Sequence, residues 1–426
     1  MNMRSYWKYF FKYYGVYAIL TVAAVLRLLV VQYADYASFP EQWRDFHMVS
    51  GIAHGTFFPQ LGPPSMVGGF HFSPHYYYLM VPLFVLSGFH PVGLLLTGVA
   101  VSTLSVYVLY RLLLLWSNNA SLALTGALLS AVSAYSLHLV SYTSNPNFLP
   151  LFVLWFLYCL TKILQGSTQW FDYAQMGLAF ALASCLHTTA TLELPVIALL
   201  GVALTRPTLR FRLWCIAGAA AFVVYAPYLY YELTHGFSNT VRLFGLGASA
   251  LHGGQNSLNA HMLWNFWEGT LTPFNYWYGY TAISPNWLYW LVTACMALAA
   301  VCFLAALRSR QSFDKRVTRF SKAGTVLLWS WICVASITLL SYTRGPHDHY
   351  IIILWPAPLI VLTWAVFWFK ERFGVFKPVL FLLLVTALLQ IYSFTHVRHQ
   401  PWRDFLATYE ANYKNRPDVS EIGAVW

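Results

Sequence analysis

Long apolar runs separated by short polar segments follow one another along nearly the whole chain. Most of these runs are 16–24 residues long, which as a helix approaches or crosses a hydrocarbon layer of ~30 Å. Only helices and closed barrels satisfy every backbone hydrogen bond in lipid. The pattern therefore predicts an all-α polytopic membrane protein with about eleven transmembrane helices. The predicted spans are 14–31, 92–115, 121–140, 147–163, 174–188, 190–205, 213–231, 286–307, 323–342, 350–369 and 378–394.

One further apolar stretch, HYYYLMVPLFVLSGF at 75–89, is short and contains Pro82. If it does not span and the N-terminus is cytoplasmic, 17 of the 25 Lys and Arg residues are cytoplasmic and seven are outside, with Arg27 inside the first span. If it spans, every later basic cluster moves outside, against the positive-inside rule. The charges therefore predict a juxtamembrane helix at 75–89.

This topology divides the chain into a transmembrane domain, 1–394, and an extracytoplasmic tail, 395–426. Two large outer segments belong to the domain, the first at 32–91 and the second at 232–285. The second is rich in Trp, Gly and Asn, which suits either an interfacial aromatic belt or a surface on which sugars stack.

Composition and charge narrow the function. Hydrophobic residues make up 58% of the chain and charged residues 9%, against about 25% charged in soluble domains. The net charge of +11 does not indicate nucleic-acid binding, because the basic residues stand at the ends of apolar runs. No Walker-type loop or dinucleotide fingerprint is present, so nothing indicates nucleotide-driven transport. Eleven of the fourteen carboxylates lie outside or at the outer boundary in this topology, which predicts that any acid–base chemistry lies on the outer face.

The first outer segment contains the densest polar group, Arg44, Asp45 and His47 in WRDFH. Arg27, near the outer end of the first span, is either functional, paired or extended toward the interface. A single Asp in a loop more often caps a helix or turn than acts as a base. The order of these residues along the chain is more informative than any one of them. Eighteen positions separate Arg27 from Asp45, and a Gly-Pro-rich turn and a Tyr-rich helix follow in GPPSMVGGFHFSPHYYYLMVP.

Three later segments extend this pattern: SNPNFLPLFVLWFL at 144–157, GLAFALASCLHTTATLELPVIALL at 177–200 and GPHDHYIIILWPAPLIVLTWA at 345–365. In this order they resemble the integral-membrane glycosyltransferases of the C superfamily. The nearest group is the family 39-like one that contains protein O-mannosyltransferases and the lipid A aminoarabinose transferase. The resemblance covers most of 14–370.

The resemblance implies transfer of a sugar from a polyprenyl-phosphate carrier to an acceptor hydroxyl, with inversion. It implies a bacterial or archaeal cytoplasmic membrane, an active site on its outer side, and contact with membrane lipids. The carboxylate of the first loop is the family's catalytic base, which by position is Asp45. The family usually has Asp-Glu here, and Phe46 departs from that pattern and weakens any metal-binding role.

The chemistry agrees with one base. A glycosidase needs two carboxylates because its leaving alcohol must be protonated, whereas a polyprenyl phosphate leaves as a stabilised anion. The base must reach the acceptor hydroxyl, and cations must meet the phosphate. Arg44, Arg27 and Arg344 are the predicted phosphate-binding residues, Arg344 foremost.

Further side chains are predicted to line the substrate cavity, and Ser73 is predicted to cap the helix at 75–89. These candidates are His47, His71, His75, Tyr76, Glu193, His347, His349 and Tyr350. No cofactor is predicted. A divalent metal at 347–349 and a hydrated loop there both remain open.

Two other functions are compatible with this hydropathy. A lipid or polysaccharide transporter would be expected to show matching helix breaks in two related halves, and the sequence has no such halves. An inactive homologue that acts as a scaffold is the other alternative. The sugar, the acceptor (lipid, glycan or protein) and the oligomeric state are left open by the sequence.

Overall fold

The computed structural model describes residues 3–31, 40–65, 68–250, 262–263, 320–341, 348–373 and 388. In this part of the chain the regular structure is helical, apart from an isolated antiparallel bridge between Pro64 and His71. The helices are α1 (Met3–Val31), α2 (Pro40–Ala53), α3 (His75–Leu86), α4 (Val92–Ser117), α5 (Ala120–Val132), α6 (Ala134–His138), α7 (Leu149–Leu164), α8 (Trp170–Leu186), α9 (Thr188–Thr205), α10 (Phe211–Thr234), α11 (Ser238–Ala250), α12 (Lys322–Ser341) and α13 (Ala357–Phe373). Short 3₁₀ helices cover Asn145–Phe148, Asp348–Tyr350 and Ile352–Leu354.

Six helical segments in the described residues have the length and apolar composition needed to cross a membrane. They are Tyr14–Val31, Val92–Ser117, Asn145–Leu164, Thr188–Thr205, Phe211–Thr234 and Lys322–Ser341. The predicted all-helical, multi-pass class is therefore confirmed. The predicted spans 286–307 and 378–394, most of the second outer segment and the tail lie outside the described residues, except for Leu388 and the pair 262–263.

The helices form one bundle around α4 and α7. Helix α4 contacts α1, α3, α5 and α7. Helix α7 also contacts α8, and α8 contacts α9 and α10. The α8–α10 crossing is close, because a Cβ on Gly177 would collide with the Ala217 carbonyl. Helix α12 packs against α9, and α13 against α5. One continuous apolar core runs through these contacts.

The structure corrects two predicted spans. The run 121–140 is not one helix, because Ser133 takes an extended conformation (φ −64°, ψ 128°) between α5 and α6. The run 350–369 begins with 3₁₀ turns, and its α-helix starts only at Ala357. Both breaks lie inside apolar runs, where hydropathy gives no signal.

The juxtamembrane prediction for 75–89 agrees with the length of α3. This helix has 12 residues, or roughly 18 Å at 1.5 Å per residue, too short to cross a hydrocarbon layer of ~30 Å. It packs against α2 on one side and α4 on the other. The first outer segment therefore contributes two short helices at one end of the bundle.

Candidate functional site

Asp45 lies on the buried face of α2. The helix starts at Pro40, with Glu41 in its first turn; both residue types are favoured at a helix N-terminus. Buried positions then recur with helical spacing and face α3: Gln42, Trp43, Asp45, Phe46, Met48, Val49 and Ile52. Asp45 is thus an ionisable side chain in an otherwise mostly apolar stripe, and it is only 2% exposed.

Arg44 pairs with this carboxylate. Its Nε and Nη2 both donate hydrogen bonds to Oδ1 of Asp45, at 2.9 and 2.7 Å. Since both bonds end on Oδ1, the second carboxylate oxygen is left outside the Arg44 fork. The Arg44 side chain is 18% exposed and that of Asp45 is 3% exposed, so the pair presents its cationic side to solvent.

Burial raises the pKa of Asp45 to about 6. The charge and hydrogen bonds of Arg44 and a hydrogen bond with Tyr76 oppose this rise, and the negative charge of Glu41 adds to it. At pH 7 the group is still mostly ionised and is basic enough to accept a proton, as a general base requires. Burial and the Asp45 charge also raise the pKa of the neighbouring Tyr77, so its hydroxyl stays protonated.

Phe46, the residue that departs from the family's Asp-Glu pattern, belongs to the core. It is 2% exposed and its ring makes edge contacts with Phe84 of α3 and with His47, each at 5.6 Å between centroids. His47, which is half-buried, lies on the same helix as the Arg44–Asp45 pair, and its ring packs against Phe46.

A small hairpin over 62–73 leads into α3. Its backbone is paired from Gly62 N to Phe72 O at 2.7 Å and from Phe72 N to Pro63 O at 2.9 Å. Only glycine fits at 62, because a Cβ there would collide with the Ser73 carbonyl. Contrary to the prediction, Ser73 does not cap α3: the capping position is Pro74, and the Ser73 Oγ lies 2.9 Å from Nδ1 of His75.

Both histidines of this segment are held neutral. Burial, with the positive charges of Arg242 and Arg44, lowers the pKa of His71 to about 4. Burial also lowers the pKa of His75. Neutral imidazoles at these positions can exchange hydrogen bonds with hydroxyl groups at pH 7.

Asn239 of α11 fastens this hairpin, a role that no sequence signal indicated. Its Oδ1 accepts a hydrogen bond from the His71 amide at 2.6 Å, and its Nδ2 donates to the His71 carbonyl and to the Tyr228 hydroxyl, both at 2.8 Å. Arg242 adds a hydrogen bond to the Gly69 carbonyl at 3.1 Å. The beginning of the second outer segment thereby holds the first.

His187, between α8 and α9, joins the hairpin to the late segment. It is 2% exposed; its ring stacks on Phe72 at 6.0 Å and meets His349 and Tyr350 at 5.4 and 5.5 Å. The structure therefore joins the predicted residues His349 and Tyr350 to the hairpin through His187. The sequence analysis missed His187, although a histidine at the end of the predicted span 174–188 offered a signal.

Two predicted residues lie apart from this group. Glu193 is 2% exposed on α9, and Thr338 of α12 lies beside its carboxyl group. Arg27 is fully buried and donates to Ser102 Oγ (2.7 Å) and to the carbonyls of Ala23, Ala131 and Ser130 (3.1, 3.0 and 3.4 Å). These bonds within the bundle give Arg27 a structural role and argue against its predicted binding of phosphate.

Arg344 and His347 lie outside the described residues, as does the Asp348 side chain. Within the described part of the chain, no three His, Cys, Asp or Glu side chains are grouped so as to hold a metal ion. The metal site considered at 347–349 therefore stays a prediction.

No protein-family profile matches the chain, and no curated protein does. Solved structures match it well in shape. ArnT from Cupriavidus metallidurans, bound to undecaprenyl phosphate, aligns with a TM-score of 0.62 and 13% identity over 90% of this chain and 76% of that one.

An Archaeoglobus fulgidus oligosaccharyltransferase in complex with Zn and sulfate aligns with a TM-score of 0.54 and 12% identity over 96% of this chain. AglB of the same organism, with an inhibitory peptide and a dolichol-phosphate, gives 0.52 and 12% over 98%. The chain spans 56% and 60% of these two longer proteins. At such identities the likeness concerns the fold.

Proposed function

Because the chain has the fold of the glycosyltransferase C superfamily, we propose that it is a membrane glycosyltransferase that moves a sugar from a polyprenyl-phosphate carrier to an acceptor hydroxyl. The proposed site lies on the outer face of a bacterial or archaeal cytoplasmic membrane. The sugar is a hexose or a pentose, and the acceptor is a lipid, a glycan or a protein.

One observation carries the proposal: a buried carboxylate, Asp45, with a pKa of about 6 and an arginine bound to it. Burying an ionisable group against an apolar helix face costs stability. Such a cost at the end of a bundle is typical of a functional site.

Asp45 acts in this proposal as the general base. It takes the proton of the acceptor hydroxyl while the hydroxyl oxygen attacks the anomeric carbon. The bond from that carbon to the phosphate oxygen breaks, and the phosphate leaves with the electron pair. No second carboxylate is needed, because the leaving phosphate is a stable anion. Attack from the face opposite the phosphate inverts the anomeric configuration.

Arg44 and Arg344 are proposed to meet the phosphate. Arg44 uses two of its five N–H groups on Asp45, and in this proposal N–H groups that do not bond Asp45 meet the phosphate oxygens. The structures of ArnT with undecaprenyl phosphate and of AglB with dolichol-phosphate support a carrier of this class. Arg27 is left out of this group because of its bonds within the bundle.

Polar side chains of two segments are proposed to hold the sugar and the acceptor. His47, His71, His75 and Tyr76 come from the first outer segment, and His349 and Tyr350 come from the late one. Glu193, which lies apart from these residues, and His347 stay predictions. No metal is required for this mechanism. A divalent ion, as in the oligosaccharyltransferase complex with Zn, would use the segment at 347–349.

The test replaces Asp45 in cells that express the full chain. We expect Asp45→Asn to keep expression but to reduce transfer by roughly 10²–10⁴-fold, the usual contribution of a general base. Mass spectrometry of extracted lipids and glycans would show accumulation of the carrier-linked sugar and loss of the acceptor product. The matched control is Glu41→Gln, which removes an exposed carboxylate from the same helix. Loss of this charge lowers the pKa of Asp45 and so keeps the base ionised at pH 7, so the product should still form.

Full product formation by Asp45→Asn would refute Asp45 as the base. Consumption of the carrier-linked sugar distinguishes an enzyme from a transporter, because a transporter moves this lipid across the membrane without consuming it. Nuclear magnetic resonance of the product then tests inversion, since a retained anomeric configuration would contradict the single-displacement mechanism.

A further inference from the structure

Arg111 lies on a helix that is long and apolar enough to cross a membrane, toward the end of that helix away from α3. It lies on α4, Val92–Ser117, and at 1.5 Å per residue its Cα is about 10 Å from the middle of that helix. The hydrocarbon half-thickness is ~15 Å. Arg111 nevertheless has an exposed side chain.

Two tyrosines fix the guanidinium between α4 and α7. Nη1 donates to the Tyr107 hydroxyl at 2.9 Å, and Nη2 donates to the Tyr158 hydroxyl at 3.1 Å. The guanidinium carbon also lies 5.8 and 5.7 Å from the centroids of these two rings. Such a held geometry differs from that of a freely extended surface arginine, which has many rotamers.

The charge of Arg111 has no protein counterion in the described part of the chain. The ion pairs found there join Arg44 to Asp45 and Lys162 to Asp172. The partners of Arg111 are neutral hydroxyls. An uncompensated cation at this depth is costly and is usually retained for a function.

The group is rich in hydrogen-bond donors. Two of the five N–H groups of Arg111 are used on the tyrosines, so three remain. Each tyrosine oxygen accepts from Arg111 and keeps its own O–H to donate. These donors are suited to the oxygens of a phosphate group. Leu104, two helical turns before Arg111 on the same face of α4, is 52% exposed and offers an apolar surface for an acyl chain.

We propose that Arg111, Tyr107 and Tyr158 bind the phosphate of an anionic phospholipid. The lipid belongs to the leaflet opposite the candidate active site, because Arg111 stands 19 residues along α4 from Val92, roughly 28 Å from the end next to α3. The positive-inside topology makes this the cytoplasmic leaflet. The lipid supplies the missing negative charge and joins α4 to α7.

The test measures the lipids that the purified full chain retains, by native mass spectrometry from mixed detergent and lipid micelles. The probes are a diacyl phosphatidylglycerol, a diacyl phosphatidylcholine of the same chains, and inorganic phosphate. We expect phosphatidylglycerol to be preferred over phosphatidylcholine by roughly fivefold, as for one basic residue beside an anionic lipid. Arg111→Gln should abolish this preference. A Tyr107→Phe, Tyr158→Phe double variant, which keeps the charge, should reduce it.

Arg212→Gln is the matched control, because Arg212 is exposed at the start of α10 on the same predicted side, and it should leave the preference unchanged. Equal retention of both lipids by the unaltered chain would overturn the proposal, and this measurement needs no variant to fold. A preference that survives in Arg111→Gln would also overturn it. Competition by inorganic phosphate at equal concentration would show a general anion site instead. None of these outcomes depends on glycosyl transfer.

Discussion

Asp45 illustrates how a side chain acquires reactivity from its surroundings. Burial against α3 raises its pKa, and Arg44 and Tyr76 hold that rise to about 6. A lower value would leave a weak base, and a much higher one would leave it protonated at pH 7. The balance between burial and the arginine therefore decides whether the carboxylate can accept a proton.

This balance predicts a pH profile. Transfer should fall as the pH drops through about 6, by about tenfold for each further unit, because protonated Asp45 cannot act as a base. In Arg44→Gln the influence that lowers the Asp45 pKa is removed, so the midpoint should move to higher pH. The measurement is the initial transfer rate between about pH 5 and pH 8. An unchanged midpoint in Arg44→Gln would show that another group controls the profile.

At this scale the sequence predicted identities better than roles. Asp45 could be singled out as a candidate because its order after Arg27 and before the Tyr-rich helix is a linear pattern, and its role as the base stays a prediction. The role of Arg27 could not, because the Ser102 hydroxyl and two backbone carbonyls of α5 reach it from distant helices. Asn239 was missed for the same reason: its partner His71 is 168 positions away.

At the scale of elements, the hairpin at 62–73 depends on α11. Asn239 satisfies both backbone groups of His71, and the N-terminal turns of α11 are held to α10 by a hydrogen bond from Thr240 N to Glu232 at 3.1 Å. The hairpin enters α3 directly, so its position fixes where Tyr76 and Tyr77 meet Asp45.

We expect Asn239→Ala to loosen this hairpin, since buried backbone groups left unsatisfied cost about 1–3 kcal/mol each. Hydrogen exchange measured by mass spectrometry should show faster exchange of the His71 amide. Asn239→Asp keeps the oxygen that accepts from the His71 amide but replaces the donor to the His71 carbonyl by a second acceptor, so it should restore the protection only in part. Val241→Ala, an exposed position on the same helix, is the control. Unchanged protection in Asn239→Ala would mean that other contacts hold the hairpin.

Helix existence followed from hydropathy, but helix breaks did not. The runs that became α4, α9 and α10 were predicted nearly at their observed bounds because lipid requires continuous apolar helices. For α1 only the C-terminal end was predicted, since the helix begins at Met3 and not at position 14. The break at Ser133 is a local backbone event in an apolar run. It could be seen only in the folded bundle, where α6 turns away from α5.

At the scale of the whole molecule, the topology connects the proposed sites. Asp45 lies at the end of the bundle where α3 meets α4, and Arg111 lies toward the other end. The positive-inside rule assigns the first end to the outside. An enzyme that uses a carrier on the outer leaflet requires Asp45 to lie outside. The side of the membrane on which Asp45 lies can be measured without knowing the sugar.

Two introduced cysteines test it. Thr56→Cys lies between α2 and α3, and Thr168→Cys lies between α7 and α8; both positions are exposed. A membrane-impermeant maleimide should label Thr56→Cys in intact cells, and Thr168→Cys only after lysis. The chain without either substitution controls for its six native cysteines, which the sequence places in apolar spans. Labelling of Thr168→Cys in intact cells, with Thr56→Cys protected, would put Asp45 in the cytoplasm. An outer-leaflet carrier could then not reach it, and the proposed reaction would fail for a reason unrelated to the chemistry of the carboxylate.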